Sequence, residues 1–259
     1  MASWIRSDRR VQTAILTIDK PQTLNAIDPG VLGELEEAFI ELERDPQMRV
    51  VIFTGAGEKA FSAGGDIRAM RDMSPTEGRH FVERGHEVLN RIERSRLISI
   101  AAINGYAFGG GTELALACDL RVAAEKARLG LPEVTIGLFP GWGGTQRITR
   151  LVGAGRGKYL VFTGEQVTAP VALEMGVVNN VVSNAELIQT CLAIAERICK
   201  NSQRAVEQAK IAIIHGLEQP LHYGLRIEIE SWLVNFATED RVEGLTAFLE
   251  KRPPQWKNR

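Results

Sequence analysis

The chain has 259 residues, 44% of them hydrophobic and 24% charged, with a net charge of −1. That length and balance fit a globular protein of one large domain or a core with a smaller appendage. Near-neutrality excludes a broad electrostatic footprint for nucleic acid, and no apolar run approaches the roughly 20 residues of a membrane-spanning helix. The three cysteines, Cys118, Cys191 and Cys199, have no metal-ligand spacing and form no even-numbered framework. They read as small apolar residues of a reducing compartment. With no signal-peptide core in "MASWIRSDRRVQ", the expected location is the cytoplasm.

In chain order, "VQTAILTID" alternates as a strand with one wet face. "DPGVLGELEEAFIELERD" reads as a helix with Asp28 as N-cap, Pro29 in the first turn, and Leu32, Leu35, Phe39 and Leu42 on one face. "RVVIFTG" is a short buried strand. "SPTEGRHFVERGHEVLNRIERS" opens with the capping box Ser74 and Glu77 and continues as a helix. "LISIAAING" is the next buried strand. This β-α-β-α-β order predicts an α/β core with parallel strands. After about Val182 the pattern changes to four segments of helical periodicity with no strand between them. The expected division is therefore a core over 1–190 and a helical region over 191–259.

Two motifs mimic nucleotide sites. Gly55-x-Gly57-x-x-Ala60 follows a strand, and Glu77 stands near the position of a ribose-binding acid. The following "EKAFSAGGDI" has too much glycine and too little periodicity to be the required helix, which argues against a nicotinamide enzyme. "GAGRGKY" resembles a phosphate loop, but Val152 and Tyr159 occupy two of its defining positions. No G-x-S-x-G elbow or HExxH is present.

Two glycine-rich loops remain, "FSAGGDI" after "RVVIFTG" and "NGYAFGGGTELALACD" after "LISIAAI". Both strand ends should lie at one end of a parallel sheet, where open α/β folds bind ligands. Glycine lets the backbone approach a ligand closely. One N–H from each loop could meet a single carbonyl oxygen and stabilise charge developing there. Taken singly, each loop reads more readily as a tight turn or close helix packing, Glu113 as a first-turn acid complementing a helix dipole, and Glu133 as a surface loop acid.

Taken together, "FSAGGDI", "NGYAFGGGTELALACD", "LGLPEVTIGLFPGWGGTQRITRLVG", "TGEQVTAPVALEMGVVNNVV" and "FATEDRVEGLTAFLEKR" resemble the enoyl-CoA hydratase/isomerase (crotonase) family, in order, from about Val11 to Arg252. The resemblance implies an α/β spiral of repeated β-β-α units with a helical C-terminal trimerisation region. It implies an acyl-CoA thioester as substrate, and a homotrimer or a homohexamer of two trimers. No cofactor or metal is expected, coenzyme A being part of the substrate; no nucleic acid or membrane partner is expected either.

By position in the family motifs, Gly65 and Gly110 supply the oxyanion-hole N–H groups and Glu113 and Glu133 are the catalytic pair. Ala63, Asp66, Ile67, Gly141 and Trp142 fall at substrate-binding positions. Lys20, Leu24, Ala26, Lys59, Phe248 and Lys251 are candidates for the coenzyme A moiety, the last two from a neighbouring subunit. Arg68 lies beside the first loop, and the segment from Arg68 to Arg94 is expected to wall the acyl pocket. Trp142 either narrows that pocket or simply packs. Keeping both glutamates favours a hydratase over an isomerase or another acyl-CoA lyase of the family. A non-catalytic acyl-CoA-binding or RNA-binding relative is the alternative of a different class. His80, His86, His215 and His222 carry no partner pattern and no assigned role.

Overall fold

The computed structural model describes residues 3–259. Its contacts divide the chain into two units, the first ending at Ala193 and the second covering Ile194–Arg259.

In the first unit, β1 (Ile5–Arg9) and β2 (Thr13–Ile18) form a hairpin leading to α1 (Pro29–Arg44). Then follow β3 (Val50–Gly55), β4 (Ala60–Ser62), α2 (Ile67–Arg71) and α3 (Pro75–Arg94). The next turn of chain is β5 (Ile98–Ile103), β6 (Tyr106–Phe108) and α4 (Gly110–Ala117). After it come β7 (Leu120–Ala124), β8 (Arg128–Gly130), a 3-10 turn over Pro132–Ile136, α5 (Gly144–Val152) and α6 (Ala154–Thr163). β9 (Gln166–Thr168), α7 (Ala169–Glu174) and β10 (Asn180–Val182) lead into α8 (Leu187–Cys199), which runs across the boundary.

After the β1–β2 hairpin, whose strands share the first sheet, the turns of chain that begin at β3, β5 and β7 each place one strand in each of two sheets before a helix. The first sheet has the order β1-β2-β3-β5-β7-β10 and is parallel except for β1; the second has the order β4-β6-β8-β9 and is parallel except for β9. β3 and β5 are buried along their whole length, as expected for strands covered on both faces.

The helix signals act as expected. The Asp28 carboxylate accepts the Val31 N–H at 2.9 Å, and Ser74 with Glu77 forms a reciprocal capping box. Leu32, Leu35, Phe39 and Leu42 are fully buried. The expected wet face of β2 is corrected: Ala14, Leu16 and Ile18 enter the core, while Ile15 and Thr17 share a crevice with Thr54 and Ile188. The second sheet is absent from the periodicity because each of its strands has three residues, too few to show a period. The dinucleotide mimic runs into β4 rather than a helix, and the phosphate-loop mimic lies inside α6.

In the second unit, α9 (Gln203–Leu217) and α10 (Leu221–Phe236) approach closely at two glycines. A Cβ on Gly224 would stand 3.1 Å from Gly216 O. After α11 (Glu239–Leu249), the tail is held by buried Asp240, whose carboxylate accepts Ser202 Oγ and the Lys257 and Asn258 N–H groups. Among the described residues, no helix is long and apolar enough to cross a membrane.

Candidate active site

The loop after β4 is shaped by Gly64, whose φ of +90° places it where other residues are strained. A Cβ there would sit 2.8 Å from Gly110 N and 2.6 Å from Phe108 O, so the two glycine loops touch. The Ala63 N–H donates to Leu24 O and the Asp66 N–H to Ile27 O. The Gly65 N–H has no acceptor among the described residues. In the second loop, Gly109 has φ +51° and its N–H donates to Gly130 O at 3.0 Å. Gly110 then opens α4 with its own N–H uncommitted among the described residues, as the first residues of a helix must be. A Cβ on Gly110 would stand 3.3 Å from Gly65 N and 2.7 Å from the Trp142 indole.

Gly65 and Gly110 line one cavity of about 700 Å³, together with Ala63, Ile67, Glu113, Glu133, Gly141 and Trp142. α2 and α3 supply Met70, Phe81, Val82 and His86, so the expected wall from the segment after Arg68 is present. Phe139, Leu138 and Ile136, all exposed, line it from the 3-10 turn and the loop after it.

Glu113 stands in the first turn of α4, 2% exposed. Its Oε1 accepts the Trp142 N–H and the Gly144 N–H, both at 2.7 Å. Burial pushes its carboxyl up to about 7, and the Glu133 charge adds to the rise; the two amides and the Arg147 cation pull the other way without cancelling it. Glu133 lies in the 3-10 turn, and its Oε2 is buried with no hydrogen-bond partner. Burial raises its carboxyl too. Its Oε1 would be 2.9 Å from a Cβ on Gly109, so glycine there clears space for the acid. Two carboxyl groups with raised affinity for protons, facing one apolar cavity beside two uncommitted N–H groups, can exchange protons with a bound molecule.

Trp142 resolves the two readings of its role into one arrangement. The indole is 4% exposed, packs edge-on against Phe81 at 5.1 Å and still lines the cavity. It occupies a slot on α3 where a Cβ on Gly85 would fall 2.1 Å from its Nε1.

Other expected residues stand elsewhere. Asp66 does not line the cavity; it caps α2 by accepting the Arg68 N–H and faces Lys20 at 3.8 Å. Lys20 is 9% exposed and its ammonium is committed to Asp28 at 2.6 Å, so it is not a free cation for a phosphate. Leu24 and Ala26 flank the first glycine loop outside the cavity, and exposed Lys59 and Arg68 also lie outside its lining. Phe248 and Lys251 belong to the second unit, both exposed. His86 and Arg147 stand at the site although the motifs did not point to them. For His86 the available signal is spacing, since Val82, His86 and Asn90 recur every four residues on α3; Arg147, behind the cavity wall, lies within "GGTQRITRLVG" and nothing local shows that its partners come from α3.

The family model described as enoyl-CoA hydratase/isomerase matches residues 9–259. The chain is 44% identical to the short-chain-enoyl-CoA hydratase of Clostridium acetobutylicum, over 97% of each protein. It is 42% identical to the crotonyl-CoA hydratase of Syntrophomonas wolfei, over 95% of this chain and 94% of that one. The crystal structure of an enoyl-CoA hydratase from Bacillus anthracis superposes with a TM-score of 0.95 at 42% identity, covering 99% of this chain and all of that one. The fold is that of the crotonase-type enoyl-CoA hydratases. The chain belongs to the enoyl-CoA hydratase/isomerase family.

Proposed function

We propose that the protein is an enoyl-CoA hydratase, adding water reversibly across the 2,3 double bond of a 2-enoyl-CoA to give the 3-hydroxyacyl-CoA. The observation that carries this is the pair Glu113 and Glu133 on one cavity beside the N–H groups of Gly65 and Gly110. The names of its relatives, a short-chain-enoyl-CoA hydratase and a crotonyl-CoA hydratase, support a short acyl chain.

In this reading the thioester oxygen accepts the Gly65 and Gly110 N–H groups. Water attacks C3, the π electrons move toward C2 and the thioester oxygen gains enolate character. Fixed donors oppose that charge, and losing one such donor typically costs about 3–4 kcal/mol of barrier. Glu113, with Oε1 held by two amides, presents its other oxygen to the water and takes its proton. A carboxyl near 7 suits a base at neutral pH. Glu133, whose carboxyl burial shifts toward the protonated form, delivers a proton to C2. The net change is one water added, and proton sharing between the acids resets the pair. The reaction is assigned to protein groups alone, with coenzyme A as part of the substrate and no other cofactor or metal.

Assembly into a trimer, or two trimers, belongs to the same proposal. α10 exposes Leu225, Ile229, Trp232, Leu233 and Val234, and α11 exposes Val242, Leu245 and Phe248. An apolar surface of that extent is unusual on a monomer. Phe248 and Lys251 would then reach the coenzyme A of a neighbour. The cytoplasm is the compartment this reading assigns.

The test is loss of conjugated-thioester absorbance on adding crotonyl-CoA, then longer and branched enoyl-CoAs. Glu133→Gln should lose most turnover while still binding acyl-CoA. No turnover of any enoyl-CoA by the wild-type protein would overturn the hydratase assignment.

A further inference from the structure

Behind the cavity wall lies a cation that the proposed reaction does not use. Arg147 on α5 has a side chain only 12% exposed, and its guanidinium fork is committed. Nη1 donates to Trp142 O at 2.9 Å; Nη2 donates to Asn90 Oδ1 at 2.8 Å and Glu93 Oε2 at 2.7 Å; Nε donates to Glu93 Oε1 at 3.2 Å. Trp142 therefore has its carbonyl on Arg147 and its N–H on Glu113. Gly143 between them has φ +97°, and a Cβ there would fall 2.3 Å from Arg147 Nη1. The positive φ favours glycine here, and any side chain would have to displace the guanidinium from this turn.

We propose that Arg147 is a positioning residue for Glu113: anchored to α3 by Glu93 and Asn90, it fixes the Trp142–Gly144 turn so that both amides stay on Glu113 Oε1. Its charge acts in the same direction, favouring the Glu113 carboxylate against burial and the Glu133 charge. The polar and charged groups around Glu113 are Glu133 from the 3-10 turn, the Trp142 and Gly144 amides, Arg147 from α5, and His86 of α3 beside Gly143. Glu93 and Asn90 act through Arg147. The consequence for turnover rests on the hydratase reading; the effect on Glu113 does not.

The experiment is a ¹³C NMR titration of protein labelled at glutamate side-chain carboxyl carbons, with the Glu113 resonance assigned by its loss in Glu113→Gln. In Arg147→Gln the Glu113 midpoint should rise by about one pH unit. Arg147→Lys, which keeps the charge and loses the fork, should bring back only a minor part of it, since one ammonium cannot hold Trp142 O, Asn90 and Glu93 together; a full return to the wild-type midpoint overturns the positioning role. In Glu93→Gln, which weakens the anchor of the fork, the midpoint should also rise, by less than in Arg147→Gln. An unchanged midpoint in folded Arg147→Gln overturns the proposal. If that variant does not fold, Glu93→Gln decides, and an unchanged or lower midpoint there overturns it. In steady-state hydration, Arg147→Gln should lower kcat by about 10- to 100-fold with KM little changed, as expected of a misplaced base; a wild-type kcat in the folded variant also overturns it. A wild-type protein that hydrates no enoyl-CoA defeats the hydratase reading instead, and the titration still decides the role of Arg147.

Discussion

Glu113 and Gly144 are thirty-one residues apart in the chain, and the Gly144 N–H donates to Glu113 Oε1 at 2.7 Å. A Cβ on Gly144 would fall 2.9 Å from that same oxygen. The contact therefore needs glycine on one side and an acid in the first turn of α4 on the other. It holds a carboxylate in an apolar wall, at an energetic cost to the folded state.

That cost has a pH signature. Glu113 titrates near 7 in the folded protein against an ordinary 4.5. A raised carboxyl makes the folded state bind the extra proton, so stability falls as pH rises from about 4.5 through about 7. The penalty at pH 8 is about 3 kcal/mol. Glu113→Gln keeps an oxygen to accept both amides and removes the charge. It should be more stable than wild type at pH 8 by up to that amount, with the difference fading toward pH 5, in urea unfolding followed by circular dichroism.

Gly109→Ala should damage the site more than the fold. Its φ of +51° strains any side chain, and the added methyl would press on Glu133 Oε1 at 2.9 Å. Expected are a loss of about 1–3 kcal/mol in stability from the strained backbone and a fall of about 100-fold in kcat from displaced groups. Thermal unfolding beside steady-state hydration checks both; a full-rate variant would remove Glu133 from the mechanism.

Gly85→Ala tests the seat of Trp142. The methyl would overlap the indole, 2.1 Å from Nε1, and the ring is nearly buried. Overpacking of this kind costs about 1–3 kcal/mol. The ring should move toward the cavity, giving altered tryptophan emission and a raised KM that grows with acyl length. Unchanged emission with unchanged KM across a chain-length series would show that the slot is not what holds the ring.

Ile229→Asp together with Leu233→Asp should break assembly. Both residues are exposed on α10, at 56% and 49%. A charge placed in an apolar interface leaves it unpaired and desolvated. Sedimentation velocity should show trimers or hexamers for wild type and monomers for the double variant; wild-type mass in the variant would place the interface elsewhere.

Local rules carried much of this protein in its sequence. Asp28 and Ser74 mark helix starts because capping is decided within four residues. "VVIFTG" and "ISIAAI" read as buried strands because a run of apolar side chains has no wet alternative. The glycine loops with Glu113 and Glu133 were legible as motifs, and the family with them. What only the tertiary structure decided depends on partners distant in sequence. The three-residue strands β4, β6, β8 and β9 are too short to show a period, and each is defined by pairing with a strand from a distant part of the chain. Lys20 reads as a free cation until Asp28 and Asp66 close on it. Arg147 carries no assigned role in the sequence, because its partners Glu93 and Asn90 come from α3 and only the packed turn brings Trp142 O to its fork. The proton affinity of Glu113 is likewise a property of the packed wall, because burial and charges from other elements set it.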